Sequence, residues 1–527
     1  MQRFAVRKTA ISLTIWSIAA SLLLLAPPRA GAAACDWDTA AGWVARENLK
    51  KGNPDWAAGI PLRYGGDFAL RDQNGGFDNW VESGLKGKRV EGWFESVSAT
   101  CGQSVDLHLS ANAAPVDISV YRLGFYGGAR ARLIAQYRTK KAIPAYDPPL
   151  ISSAPRSTVT TKWPSNFQFK VTSETPPGQY VFRLEDGVGN PTFVPLMITN
   201  PENRYGLTFI SSVMTWQAYN QWGGYSLYKG PNIKRTSRAT VVSFERPYDG
   251  DGSGQLRYME LPLIRVAENL GLDLNYATDY ELDANSPMIK NATALILGGH
   301  HEYWTNNMRD NLEAAVERGT NLINFGGNAG YNRIRIESEN RLAMWRRTKS
   351  DPYATVQDKA TLPWRLTPIK RPESLLLGAQ YIGLGASGNF KITRPGRWPF
   401  NAMSTPGELE TVVGREVDSP LYSPGPAVES LATAEVTVQR KRAIAMATYY
   451  THKSGAGVLN ISTNGWVCSM QSICPWRTKV PEATRENLKL VTEAILIDAA
   501  KGPLARIRPM IVDVKARTSN TKFSDNA

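Results

Sequence analysis

From Val90 onward the chain alternates apolar and polar residues in short runs. VEGWFESVSA (90–99), SVDLHLSA (104–111), VDISVYRLGFY (116–126), NFQFKVTS (166–173) and GQYVFRLED (178–186) each place apolar side chains on one face, with turn-forming residues between the runs. Several short strands at this spacing predict a β-sandwich over 90–200. His108 lies inside one such strand with no partner nearby in sequence and reads as structural.

Past residue 203 the rhythm changes. GLTFISSV (206–213) and ATALILGG (292–299) are continuous apolar runs of the kind buried on both faces, and LDLNYATD (272–279) and TNLINFGGN (320–328) are two further strands. Between them QLRYMELPLIRVAENLG (255–271) and NNMRDNLEAAVERG (306–319) have helical spacing and a glycine stop. Strand–helix alternation predicts a mainly parallel sheet covered by helices, an α/β domain over 203–505. It returns with RAIAMATYYT, GVLNISTN and the helix EATRENLKLVTEAILIDAAK (482–501), after an irregular Pro- and Gly-rich insertion at about 340–445. The whole is an α+β multidomain chain. Residues 35–89 read as an irregular lead-in and 506–527 as a flexible tail.

The N-terminus changes the picture. Arg3, Arg7 and Lys8 precede the apolar run ISLTIWSIAASLLLLA, followed by small residues up to Ala34, which is the pattern of a secretory signal peptide over 1–34. AAAC before Cys35 lacks the leucine usual at a lipidation site. No other run is long and apolar enough to span a bilayer, so an exported chain, periplasmic or extracellular, with no integral membrane segment is expected. The signal holds four basic residues and no acidic one, so its removal takes the net charge from +14 to +10. The basic residues are scattered and no nucleic-acid motif is present, which points to anionic surfaces or acidic ligands rather than DNA. Cys468 and Cys474 bracket a short loop and are expected to pair, leaving Cys35 with Cys101. The fifteen Trp and twenty-one Tyr suit a sandwich core, or an aromatic cleft.

In open parallel sheets, ligands bind beyond the carboxyl ends of the strands. Tyr219 and Asn220 follow the first apolar strand of this domain, Asp279 and Tyr280 the second, His300, His301 and Glu302 the third, and Asn328 the fourth. Half of the four histidines therefore lie side by side at one strand end, next to a carboxylate. If the four strands are neighbours, these groups gather at one edge, and Gly298-Gly299 and Gly326-Gly327 suit turns where backbone approaches a ligand or another strand. The plainer reading of Glu302 is a favourable charge at the start of the next helix. His301-Glu302 begins like HExxH, but position 305 is Thr, and no GxSxG, GxxxxGK[ST] or GxGxxG occurs.

VYRLGFYGGARARL (120–133), TWQAYNQWGGYSLY (215–228), GGHHEYWTNNMRD (298–310), NLINFGGN (321–328) and VVGREVD (412–418) resemble the large-subunit catalytic region of N,N-dimethylformamidase and its relatives. The resemblance implies a β-sandwich followed by a glutamine-amidotransferase-like α/β domain. It further implies a mononuclear Fe(III) held by two tyrosines and a glutamate, which fall on Tyr219, Glu302 and, by spacing, Tyr180. His300 and Asn328 match groups beside the metal, with Glu416 a further candidate acid or base. Phenolate and carboxylate are hard oxygen ligands suited to Fe(III), and three of them leave positions open for water and a carbonyl. His300 is then expected to shuttle a proton, and Asn328 to donate a hydrogen bond to an oxyanion. His301 departs from the aspartate usual in the family, and its role is open.

The function expected is a metal-dependent, iron-containing hydrolase of an amide-type C–N bond, acting on a small-molecule or cell-surface amide. A homo-oligomer is compatible with this reading, and no small subunit is evident. The alternatives are a non-catalytic carbohydrate-binding protein using the aromatic YNQWGGY loop, and a glycan hydrolase, which needs a carboxylate pair such as Glu302 and Glu416 across a cleft.

Overall fold

A computed structural model describes residues 35–58, 90–188, 191–203, 206–338, 340–346, 350–471, 474 and 480–518. The expected signal peptide, most of the lead-in and the last residues of the tail lie outside the described residues. The chain is a mixed α+β structure.

The alternating segments form strands β1 (Val90–Phe94), β2 (Ser98–Thr100), β3 (Ser104–Ala111), β4 (Asp117–Leu123), β5 (Ala131–Arg138), β6 (Ser165–Lys170), β7 (Gly178–Glu185) and β8 (Thr192–Thr199). They build two sheets, of order β1-β3-β6 and β2-β8-β7-β4-β5. One apolar cluster joins both, with Val90, Leu107 and Phe169 from the first sheet against Ile118, Phe182 and Leu196 from the second. The disulfide Cys35–Cys101 ties the N-terminal segment to the β2–β3 turn. His108 is structural, its ring stacked on Trp93 at 4.0 Å and its Nδ1 2.7 Å from the Trp163 carbonyl.

The second region is built on β9 (Leu207–Ser211), helix α1 (Val213–Tyr219), α2 (Leu261–Asn269), β10 (Leu274–Thr278), β11 (Ala294–Leu297), α3 (Asn306–Glu317) and β12 (Asn321–Asn324). It continues through β13 (Gln380–Ile392), β14 (Leu409–Ser419), β15 (Glu429–Val438), β16 (Lys441–Thr451), β17 (Gly457–Asn460) and α4 (Glu482–Ala500). All but α1–α4 join one sheet of order β10-β9-β11-β12-β17-β16-β15-β13-β14. The first five strands pair in parallel and are buried residue by residue, which is why they read as unbroken apolar runs. The other four strands run antiparallel. Residues 380–438 thus contribute long strands that extend the sheet, where the sequence reads as an irregular insertion, while Lys441–Thr451 is the strand expected from RAIAMATYYT. Three register shifts between β13 and β14, at or beside Gly383, Gly385 and Gly388, break the alternation that would have revealed them.

The described part of the tail is paired: Val428 donates to Val514, and Gly425 and Arg517 exchange backbone bonds. Arg122 of β4 and Glu268 of α2 form a fully buried ion pair, Nη2 to Oε1 2.6 Å, joining the sandwich to the larger sheet. No helix among the described residues is long and apolar enough to cross a membrane.

Candidate functional site

The order β10-β9-β11-β12 makes the four strands neighbours, so their carboxyl ends share one edge. Beyond β11 the chain turns through Gly298 and Gly299 into His300, His301 and Glu302. Beyond β12 it turns through Gly326 and Gly327 into Asn328. A Cβ on Gly326 would stand 2.3 Å from the Gly299 carbonyl oxygen, so these glycines let the two turns pack on each other. Asn328 sits in the left-handed region (φ 58°) and its N–H donates to Asp418 Oδ1 at 2.7 Å. Cys468–Cys474, the second expected disulfide, closes the loop after the short helix Gly465–Ser469.

Glu302 is the centre of the cluster. Its Oε2 accepts the hydroxyls of Tyr219, at the end of α1, and Tyr228, each at 2.5 Å. Its Oε1 accepts Asn332 Nδ2 at 2.6 Å and lies 3.6 Å from Arg346 Nη2. The two tyrosine rings stack at 4.2 Å, and Arg346 covers the Tyr228 ring at 3.9 Å while bonding the Tyr303 hydroxyl. Burial, then the Glu302 charge, holds the Tyr219 hydroxyl well above its ordinary pKa. Burial does the same to Tyr228, more than offsetting Arg346. Both are therefore neutral phenols donating to one carboxylate oxygen.

His300 Nε2 lies 3.0 Å from Glu416 Oε2 and 3.6 Å from Glu302 Oε2. The short approach to Glu416 is an ion-pair contact off the N–H axis rather than a straight hydrogen bond. Burial alone would lower the imidazolium pKa, but Glu416 and then Glu302 outweigh it and hold it above the ordinary value. Glu416, on β14, is pushed up by burial and pulled down further by His300, ending below the ordinary carboxylate range. Asn464 Nδ2 donates to Glu416 Oε2 at 2.7 Å, and the Asn328 side chain also bonds Glu416. Asn328 Oδ1 is buried with no partner among the described residues. Asn328 thus offers an acceptor, with part of its donor capacity already committed to Glu416.

The structure brings Tyr219, His300, Glu302, Asn328 and Glu416 together. It does not bring Tyr180 to them. The alternation of β7 turns Tyr180 into the sandwich core, where its hydroxyl donates to the Pro176 carbonyl at 2.6 Å. Tyr228 takes the second phenol position instead. It belongs to the same stretch, 215–228, as Tyr219, which turns at Gly223 and Gly224, both of positive φ, and folds back so that Leu227 N donates to Ala218 O at 3.0 Å. Asn332 and Arg346 were also missed; neither has a local signal. Trp222 of the aromatic loop meets Trp163 edge-on at 5.7 Å and donates to Glu91, both in the sandwich region, so it packs the two regions together rather than forming an exposed sugar platform.

A family model described as N,N-dimethylformamidase beta subunit-like, C-terminal, matches residues 117–480, more than half of the chain. The chain belongs to the N,N-dimethylformamidase beta subunit-like family. In this dimethylformamidase-like chain the match takes in the whole cluster, from Tyr219 to Glu416 and Asn464. No curated protein matches. Among solved structures, the sporulation control protein Spo0M from Bacillus subtilis is similar at 13% identity and a TM-score of 0.14, over 21% of this chain and 50% of that one. A chimeric titin Z1Z2 tandem is similar at 14% identity and a TM-score of 0.12, over 21% of this chain and 52% of that one. The dimethylformamidase-like chain spans about half the length of each, and neither likeness bears on its fold.

Proposed function

We propose that this chain is an exported hydrolase of an amide-type C–N bond whose metal is a mononuclear iron held by Tyr219, Tyr228 and Glu302. One observation carries the reading: two buried phenols converge on a single carboxylate oxygen, with a histidine and a second carboxylate alongside. Three hard oxygen donors at one buried point fit a ferric ion, which, when bound, polarises a carbonyl and acidifies water. Asn332 fixes the Glu302 carboxylate through its other oxygen, as an outer partner orients a ligand. Arg346 offsets anionic charge on Tyr228 and Glu302.

The remaining steps belong to His300 and its neighbours. Glu416, held by Asn464 and Asn328, orients His300 beside Glu302, so that the neutral ring is the base and the imidazolium it becomes is favoured. His300 takes the proton from the attacking water on one side of the reaction and gives it to the departing amine on the other, with Glu416 stabilising the imidazolium. Asn328 Oδ1 accepts from an N–H of the substrate, a role its unpartnered state suits better than oxyanion donation.

His300 stands between Glu302 and Glu416, in the space that the scissile bond of a glycan would need between two carboxylates, which disfavours the glycosidase reading. The test is metal analysis of the purified mature protein with Glu302→Ala and Tyr228→Phe beside it, and a hydrolysis screen of small formamides and acetamides followed by amine release. Stoichiometric iron lost in both variants, with amine release lost in parallel, is the expected result. A folded wild type that takes up no iron overturns the metal reading.

A further inference from the structure

His301 has no place in the chemistry above, yet it lies between His300 and Glu302 in the sequence and its side chain is fully buried. Its two ring nitrogens face two acceptors. Nε2 is 3.0 Å from the carbonyl of Ile210 in β9, and Nδ1 is 3.6 Å from Asp279 Oδ1 at the end of β10. Neither Nδ1 nor Asp279 Oδ1 has a hydrogen-bond partner among the described residues, and the two form a buried ion-pair contact with each other. The other Asp279 oxygen accepts the N–H of Met214, in the first turn of α1, at 2.8 Å. Tyr219 is the last residue of that helix. On its opposite side the same first turn is gripped by Glu260, which accepts Ser212 N at 3.0 Å and Trp216 Nε1 at 3.1 Å. The turn that carries Glu302 and the helix that carries Tyr219 are therefore connected through Asp279 and His301.

We propose that His301 and Asp279 are positioning residues that set the separation of Tyr219 and Glu302. The Gly298-Gly299 turn is held through its backbone, Gly299 N donating to the Met259 carbonyl at 2.7 Å, and neither glycine has a side chain that could link it to α1. His301 supplies that link. An Asp at 301 would instead set a second carboxylate against Asp279 and the Ile210 carbonyl, so the histidine and Asp279 work as a pair.

The test uses the full mature chain with Asp279→Ala, His301→Leu, the double variant, and two conservative variants, Asp279→Asn and His301→Asn. The iron arm rests on the proposed function; the structural arm does not. In metal-free crystals, Tyr219 Oη and Glu302 Oε2, 2.5 Å apart in the parent, are expected to separate beyond hydrogen-bond distance in D279A and H301L. In the iron form the dissociation constant rises roughly 10- to 100-fold in each, and the visible phenolate-to-iron charge-transfer band shifts. The double variant loses no more than either single one. D279N stays close to the parent, because its amide can donate to Nδ1 and still accept from Met214, and H301N keeps a donor toward Asp279. An unchanged Tyr219–Glu302 separation in D279A, or additive losses in the double variant, overturns the proposal. Should the parent take up no iron, the metal reading fails while the crystallographic arm still decides this one.

Discussion

Glu302→Gln is the sharpest perturbation of the cluster because it keeps size and shape and changes only what the group can accept. The carboxylate accepts three short hydrogen bonds, two phenols on Oε2 and Asn332 on Oε1, with Arg346 3.6 Å away on the Oε1 side. An amide has one oxygen. If that oxygen faces the phenols, the new NH2 meets the Asn332 donor and the Arg346 cation. If the amide is flipped, the NH2 meets two phenols whose protons must turn elsewhere. Either orientation loses at least one hydrogen bond to a charged group and sets donor against donor. Such bonds contribute roughly 1.5–3 kcal/mol each, so the metal-free variant should lose about 2–4 kcal/mol of stability. Urea unfolding of the metal-free protein measures it. Adding Asn332→Asp turns the clashing donor into an acceptor and should recover most of the loss, while iron binding, which needs the anion beside the phenols, stays abolished. An E302Q variant as stable as the parent, or one that N332D weakens further, would refute the hydrogen-bond assignment at Glu302.

Further outcomes follow from the same structure. Tyr228→Phe should abolish tight iron binding, whereas Tyr180→Phe should leave metal content and activity unchanged and cost only about 1 kcal/mol for its bond to Pro176, read by metal analysis and thermal unfolding. Glu260 is pushed by burial up to about 7 against the pull of its hydrogen-bond donors, so the folded chain keeps a proton there that the unfolded chain releases near 4.5. Its contribution is full below 4.5 and is lost as pH rises through about 7, an effect of about 3 kcal/mol that Glu260→Gln should remove from the pH dependence of Tm. Arg122→Met leaves Glu268 buried without its cation and should destabilise the chain by roughly 3–5 kcal/mol in urea, with Glu268→Leu restoring much of it.

What could be read from the sequence, and what could not, divides by how far a residue's position depends on distant chain. Tyr219, His300, Glu302 and Asn328 were legible because each belongs to the tip of a parallel strand or the helix after it, and parallel neighbours bring their carboxyl ends to one edge whatever the loops do. Each disulfide was legible for a comparable reason: one closes a short loop, which left the other pair to form. The antiparallel strands β13 and β14 were hidden because register shifts at the β13 glycines move apolar residues from one face to the other, destroying the period that marks a strand. The second tyrosine shows the limit most clearly. Spacing along the chain favoured Tyr180, but spacing is a one-dimensional measure. Strand alternation in β7 commits that side chain to the sandwich core, while two positive-φ glycines reverse the YNQWGGY loop and return Tyr228 to Tyr219. Hydrogen-bond accounting at Glu302 decides between them: one oxygen already holds two phenols, and Tyr180, bonded to Pro176 in another core, is not one of them.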